Sequence, residues 1–261
     1  MPECAFCPNP AVTKGGEHLW SDWMSKTLPF KYKVLRFDED GKAQQFLKKS
    51  LNMKAPVVCE KCNNTWMSNI ENKHAKPAME GLMLSDKLTR LSPDRLNSIA
   101  IFAFKTAVIA DHYSIPPREP FFSQSSRYAF ANSLTIPRGV QMWISAFQEG
   151  THGMFRGMYH ESPANITGSF ELYSCTFGAG YFLFQVVASR WLNNRHLLGP
   201  FPFVTQGRFW NKFSIPFWPP PGDSILWPPR KQFNLRWASR YSHQWANTDI
   251  PLDWLKSDRA D

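Results

Sequence analysis

The chain has 261 residues, 43% of them hydrophobic, and a net charge of +9. This composition excludes a disordered chain, and the length suits a small stapled module joined to a larger body. The basic excess points to a polyanionic partner, nucleic acid or an anionic membrane, with solubility alone as the plainer reading. The start, Met-Pro-Glu-Cys, has no basic segment followed by an apolar run, and the longest apolar run, Ile99 to Ala110, is short and carries Lys105. A soluble cytoplasmic protein is expected.

In chain order, the first signal is a pair of C-x-x-C motifs, Cys4-Ala5-Phe6-Cys7 and Cys59-Glu60-Lys61-Cys62. In a reducing compartment such pairs are metal ligands more often than disulfides. Each turn aims two thiolates at one ion, and two turns complete a tetrahedral zinc site. The fifth cysteine, Cys175, lies in an apolar strand-like run and reads as a small buried hydrophobe. The long stretch between the pairs is accounted for by a hairpin: a strand over 31–37, a turn over 38–41 and a returning strand over 42–47. After Cys62 the sequence reads as a helix, with Asn63 or Asn64 at its start and Pro77 at its end. Trp66, Ile70 and His74 share one face of it. Knuckle, hairpin, knuckle and helix outline a treble-clef finger. Trp20, Trp23 and Trp66 are expected to form its small core, with base stacking as the alternative.

These residues resemble the HNH endonucleases, the zinc-knuckle branch of the ββα-metal nucleases. The likeness rests on Cys4 and Cys7, on Gly16-Glu17-His18-Leu19-Trp20, and on Cys59-Glu60-Lys61-Cys62 followed at once by Asn63-Asn64. It covers residues 1 to about 75. By this resemblance His18 is the general base that activates water, and Glu17 and Asn63 hold a catalytic Mg or Mn ion. Carboxylate and carboxamide oxygens suit such ions. Glu17 and His18, as neighbours on a strand, converge only if the strand is irregular, and Gly16 would supply that irregularity. The family's middle Asn, which orients the base, is matched by Asn52, further from the second knuckle than usual, with Lys54 as the other candidate. Glu71 and His74 read as exposed helix residues, or as partners of the site. DNA is expected above RNA on the strength of the resemblance alone. Sites of this kind cut one strand at a time, so duplex breaks would call for a homodimer.

The body begins with a helix from Asp94 to Asp111 that is apolar nearly all round and therefore buried on most faces. Lys105 is its exception, reaching the surface or pairing with an acid. A shorter helix is expected over 123–134. Strands follow at 141–147, 169–177 and 181–187, the last two joined by Gly178-Ala179-Gly180. From Arg190 to Arg240 Asp223 is the only acid, and aromatics interleave with prolines. Most of these rings are expected to pack over the sheet. The basic residues, Arg190, Arg195, Arg208, Arg230 and Lys231 first, are the candidate nucleic-acid contacts.

The expected fold is thus α+β: a zinc-stapled module over 1–80 and, over 81–261, a body with a long buried helix on an antiparallel sheet. The expected activity is metal-dependent hydrolysis of phosphodiester bonds. The alternative is a zinc-finger protein that binds nucleic acid without cutting it.

Overall fold

The computed structural model describes residues 3–11, 16–28, 32–37, 43–48, 54–113, 119–161, 170–191, 194–198 and 209–243. Strands β1 (Glu3–Cys4) and β2 (Cys7–Pro10) pair across the first knuckle, with Cys4 opposite Cys7. β3 (Glu17–His18) is followed by a short helix, α1 (Asp22–Thr27), that the sequence did not announce. β4 (Tyr32–Phe37) and β5 (Ala43–Lys48) form the expected hairpin; the residues of its turn lie outside the described residues. β6 (Lys54–Ala55) then returns to pair antiparallel with β3.

The second knuckle leads into a helix that runs unbroken over residues 60–84. It comprises α2 (Glu60–Cys62), wide turns at Asn63–Met67 and Ile70–Ala75, and α3 (Lys76–Leu84). Two expectations are corrected here. The cap is Cys59, whose sulfur accepts from the Cys62 N–H, and not Asn63 or Asn64. Pro77 also does not end the helix. A proline lacks the N–H and crowds the carbonyl four residues back. The turn before it is wide, with the Lys76 N–H donating to the Glu71 carbonyl five residues back, and this loosened turn gives the ring room.

β7 (Thr89–Leu91) precedes the long helix α4 (Pro93–His112), capped by Ser92, whose hydroxyl accepts from the Arg95 N–H. Pro93 occupies the first turn, where a missing N–H costs nothing. α5 (Gln124–Ser133) follows; it begins at the Ser123 cap and closes on Leu134 with φ +55°. The rest comprises β8 (Val140–Ala146), β9 (His152–Glu161), β10 (Phe170–Gly180), β11 (Phe182–Trp191), β12 (Asn194–Leu198), β13 (Ser214–Trp218), β14 (Ile225–Trp227) and α6 (Leu235–Ser242).

Eight strands form one sheet in the order β13-β8-β11-β10-β9-β4-β5, with β12 beside β11. Its pairings are antiparallel except that of β4 with β9. The hairpin expected inside the finger is therefore an edge of the body's sheet. The boundary drawn at residue 80 falls within α3, and one buried cluster joins Phe6, Trp20 and Met67 to Phe102, Phe177 and Phe184. Trp20 does not belong to a separate finger core. It packs on Phe155 and Phe177, and its Nε1 donates to the Gly178 carbonyl.

α4 lies between the knuckle helix and the sheet, which is why its sequence is apolar on all sides. Along β11, Phe182, Phe184 and Val186 face this layer, while Leu183 faces the other, where Phe213, Phe233, Ala238 and Tyr241 cover the sheet. Alternation of side chains along a strand produces the two faces. Among the described residues, the aromatic C-terminal segment thus packs largely over the sheet, as expected. Trp227 is fully buried, with its Nε1 donating to the Ser145 carbonyl.

The β10–β11 turn is pressed onto the end of the knuckle helix: the Tyr181 N–H donates to the Met83 carbonyl at 3.0 Å. Gly180 has φ +63°, and a Cβ there would collide with that carbonyl oxygen. Gly180→Ala is expected to destabilise the protein by about 2 kcal/mol or more. Urea unfolding measures this; an unchanged midpoint would show that the turn yields freely.

Candidate metal centre

The sulfur atoms of Cys4, Cys7, Cys59 and Cys62 lie within 4.8 Å of one another. Cys7 Sγ is 3.5 Å from both Cys59 Sγ and Cys62 Sγ. Around a tetrahedral ion with metal–sulfur bonds of about 2.3 Å, sulfurs stand roughly 3.8 Å apart. The cluster could therefore hold a metal ion such as zinc. Local backbone geometry supports it. The Phe6 N–H points at Cys4 Sγ at 3.4 Å and the Cys62 N–H at Cys59 Sγ at 3.5 Å, so each turn presents its sulfur to a backbone donor. The Ala5 N–H donates to the Val57 carbonyl at 2.8 Å, which ties the first knuckle to the segment entering the second. Burial pushes the Cys4 thiol up to about 11, whereas at Cys59 burial is outweighed by the Cys62 N–H and the neighbouring cysteines, which draw that thiol down to about 7. Among the described residues these four cysteines are the one group of three or more His, Cys, Asp or Glu side chains placed to share an ion.

The body buttresses the cluster. Phe6 meets Trp66 edge-on at 5.0 Å, and both rings contact Phe130 of α5. Arg127, also on α5, donates to the Ala5 carbonyl and, at 3.0 Å, to the Phe122 carbonyl. A four-thiolate zinc centre carries excess negative charge, and Arg127 sets a guanidinium beside it.

β3 holds the next two residues of interest. Gly16, at φ +51°, is pressed against Ala55, whose carbonyl oxygen lies 2.9 Å from where a Cβ would stand. This conformation, open to glycine, lets the chain enter β3 with Glu17 opposite Ala55 and His18 opposite Lys54. Glu17 is 4% exposed. Its carboxylate accepts from Lys105 Nζ at 2.7 Å, and the same ammonium reaches Glu71 at 2.6 Å. Glu71 also accepts from Ser21 Oγ at 2.6 Å. Lys105 takes the paired alternative left open by the sequence. Glu71 belongs to this buried network and is not an exposed helix residue.

The protonation pattern follows from the shared ammonium. Burial works against Lys105's charge, but the two carboxylates outweigh it and hold the ammonium above its ordinary range. Burial raises Glu17, and the neighbouring Glu71 charge adds to that against Lys105's pull. For Glu71 burial is outweighed by Lys105, Ser21 and Glu17, and its carboxyl stays below the ordinary range. Two carboxyls thus share one buried cation, and their titrations belong to the group as a whole.

His18 is half-buried. Burial, reinforced by Lys54, pushes its imidazole below the ordinary range, so the ring is neutral at pH 7. Asn63 follows Cys62 directly, with its N–H bonded to the Cys59 carbonyl at 3.0 Å and its side chain half-buried. Asn52 lies outside the described residues; Lys54 is exposed on β6.

The basic residues of the C-terminal segment divide. Arg190 is corrected as a nucleic-acid contact. It is buried, with Nε donating to Glu171 at 2.6 Å, Nη1 to the Phe121 carbonyl at 2.6 Å, and its guanidinium 4.5 Å over the Phe121 ring. A guanidinium so enclosed is a fastener between strand and loop. Arg230 and Lys231 are exposed. The Arg208 residue and the Arg195 side chain lie outside the described residues. Cys175 is fully buried, and burial holds its thiol far above the ordinary range, as befits an inert core residue. No described helix is long and apolar enough to cross a membrane.

Comparison of the chain with protein-family models, curated proteins and solved structures gives no match.

Metal binding at the four thiols must displace protons, so affinity falls as pH falls. Cys59→Ser is expected to lose the metal and to loosen the N-terminal segment, because ion binding and folding are coupled there. Metal analysis together with hydrogen exchange over residues 3–11 and 54–62 checks this. Full metal content with wild-type protection would contradict the four-sulfur site.

Proposed function

We propose that the chain is a zinc-stapled endonuclease of the HNH kind, hydrolysing phosphodiester bonds of nucleic acid, with DNA the expected substrate. The observation that carries this reading is the pairing of β3 with β6. It sets His18 on the strand beside the one that runs into Cys59, and the helix over residues 60–84 leaves directly from that knuckle. Two short strands and a helix about four clustered sulfurs support the reading of a treble-clef, ββα-metal finger.

In this reading the zinc is structural and is held by Cys4, Cys7, Cys59 and Cys62. His18, neutral and half-exposed, takes the proton from the attacking water through a ring nitrogen. A divalent ion such as Mg or Mn would supply charge neutralisation at the leaving oxygen. Asn63 offers a carboxamide oxygen for it at the head of the helix. Glu17 does not fit that role, because its carboxylate is almost wholly enclosed and is taken by Lys105. No hydrolytic step therefore runs through an ion on Glu17, and Glu17 acts on the neighbouring His18 through the backbone of β3.

The enclosure of Glu17 favours one second reading, a zinc-finger protein that binds nucleic acid without cutting. In either case exposed Arg230 and Lys231 are available to phosphates.

Plasmid nicking in Mg, in Mn and in chelator separates the two. Metal-dependent nicking that falls about 100-fold or more in His18→Ala, with zinc retained, supports the nuclease. Salt-sensitive DNA binding without nicking in any metal supports the second reading and excludes the first.

A further inference from the structure

His18 is bracketed by two residues tied into one buried network. On one side Glu17 accepts from Lys105 Nζ at 2.7 Å; on the other Ser21 Oγ donates to Glu71 at 2.6 Å, and Glu71 accepts from the same ammonium at 2.6 Å. Three separate elements meet there: the β3–α1 segment, the knuckle helix and α4. The Lys105 side chain is 1% exposed, comes from the middle of a helix packed on the sheet, and lies 5.1 Å over the Phe102 ring. Of these elements α4 has the most enclosed position, so it is the reference against which the other two are held.

We propose that Lys105 is the positioning residue of the site: one ammonium, by joining Glu17 to Glu71, fixes the His18-bearing segment against the helix that leaves the metal centre. This inference deepens the nuclease reading and rests on it for the catalytic consequence. It does not make Lys105 a catalytic residue, since the side chain is closed off from any substrate. It also assigns the space between the two carboxylates to an amino group from the body, and not to a divalent ion.

Removing the ammonium leaves two buried carboxyls without their cation, an arrangement that proteins tolerate poorly. Two variants of the full chain, loaded with zinc, therefore serve: Lys105→Met, and the same change combined with Glu17→Gln and Glu71→Gln, which removes the stranded charge. The readouts are zinc content, thermal stability, the His18 ring nitrogen signals (assigned by their loss in His18→Ala), and kcat and KM for nicking. Both variants are expected to keep zinc and to shift or broaden the His18 signals. kcat is expected to fall by about 10- to 100-fold while KM changes less, as for a displaced catalytic group. The triple variant is expected to regain thermal stability without regaining the wild-type ring signals. Unaltered His18 signals in either folded variant would overturn the proposal. So would recovery of signals and stability together in the triple variant, since that marks a purely structural ion cluster. A wild-type protein that never nicks refutes the nuclease reading instead, and the ring signals then decide the positioning by themselves.

Discussion

The constraint on which the N-terminal part depends is the gathering of four sulfurs from two distant turns. Cys7 and Cys59 are separated by a hairpin that leaves to join the sheet, yet their sulfurs stand 3.5 Å apart. Closing a loop of that length costs conformational entropy, and burying four thiols offers little in return unless a cation binds them as thiolates. The ion, in this account, is what draws β1, β2 and β6 to the start of the knuckle helix. Aromatic packing of Phe6, Trp66 and Phe130 and the Arg127 bonds to the first knuckle then attach the cluster to α5.

A second constraint joins the metal module to the rest. Lys105, Glu17, Glu71 and Ser21 form a buried polar network between the module and α4. Buried ion pairs add little net stability, but breaking one leaves a stranded charge, so they are effective at holding elements in a single arrangement. With the hairpin paired to β9 and Trp20 bonded to Gly178, the first eighty residues and the body share one core. A nuclease site built this way would take its geometry from the body as much as from the zinc.

The sequence disclosed what is local. Cysteine spacing marked the four sulfurs that cluster; strand-like runs marked β4, β5, β8, β10 and β11; Ser123 and the pattern behind it marked α5. What it hid is long-range. The hairpin's strands were legible, but their pairing with β9 joins residue 33 to residue 152, which no local pattern records. Lys105, alone in an apolar helix, announced that it needed a partner without saying that there were two. Pro77 looked like a stop because the wide turn that accommodates it has no signature in residue type. Arg190 looked like a surface cation, since its partner, Glu171, faces it across β10 and β11 and is distant in sequence. The α1 helix is too short for periodicity to show. β9 breaks its apolar residues with glycines, histidines and Arg156, so it lacks the apolar run that marks β11.

The arrangement depends on the four cysteines sharing one ion. X-ray absorption at the zinc edge of the purified protein tests it most directly. A single shell of four sulfurs at about 2.3 Å is expected. A shell of mixed nitrogen and oxygen, or protein that carries no metal and still folds with its two knuckles joined, would contradict it.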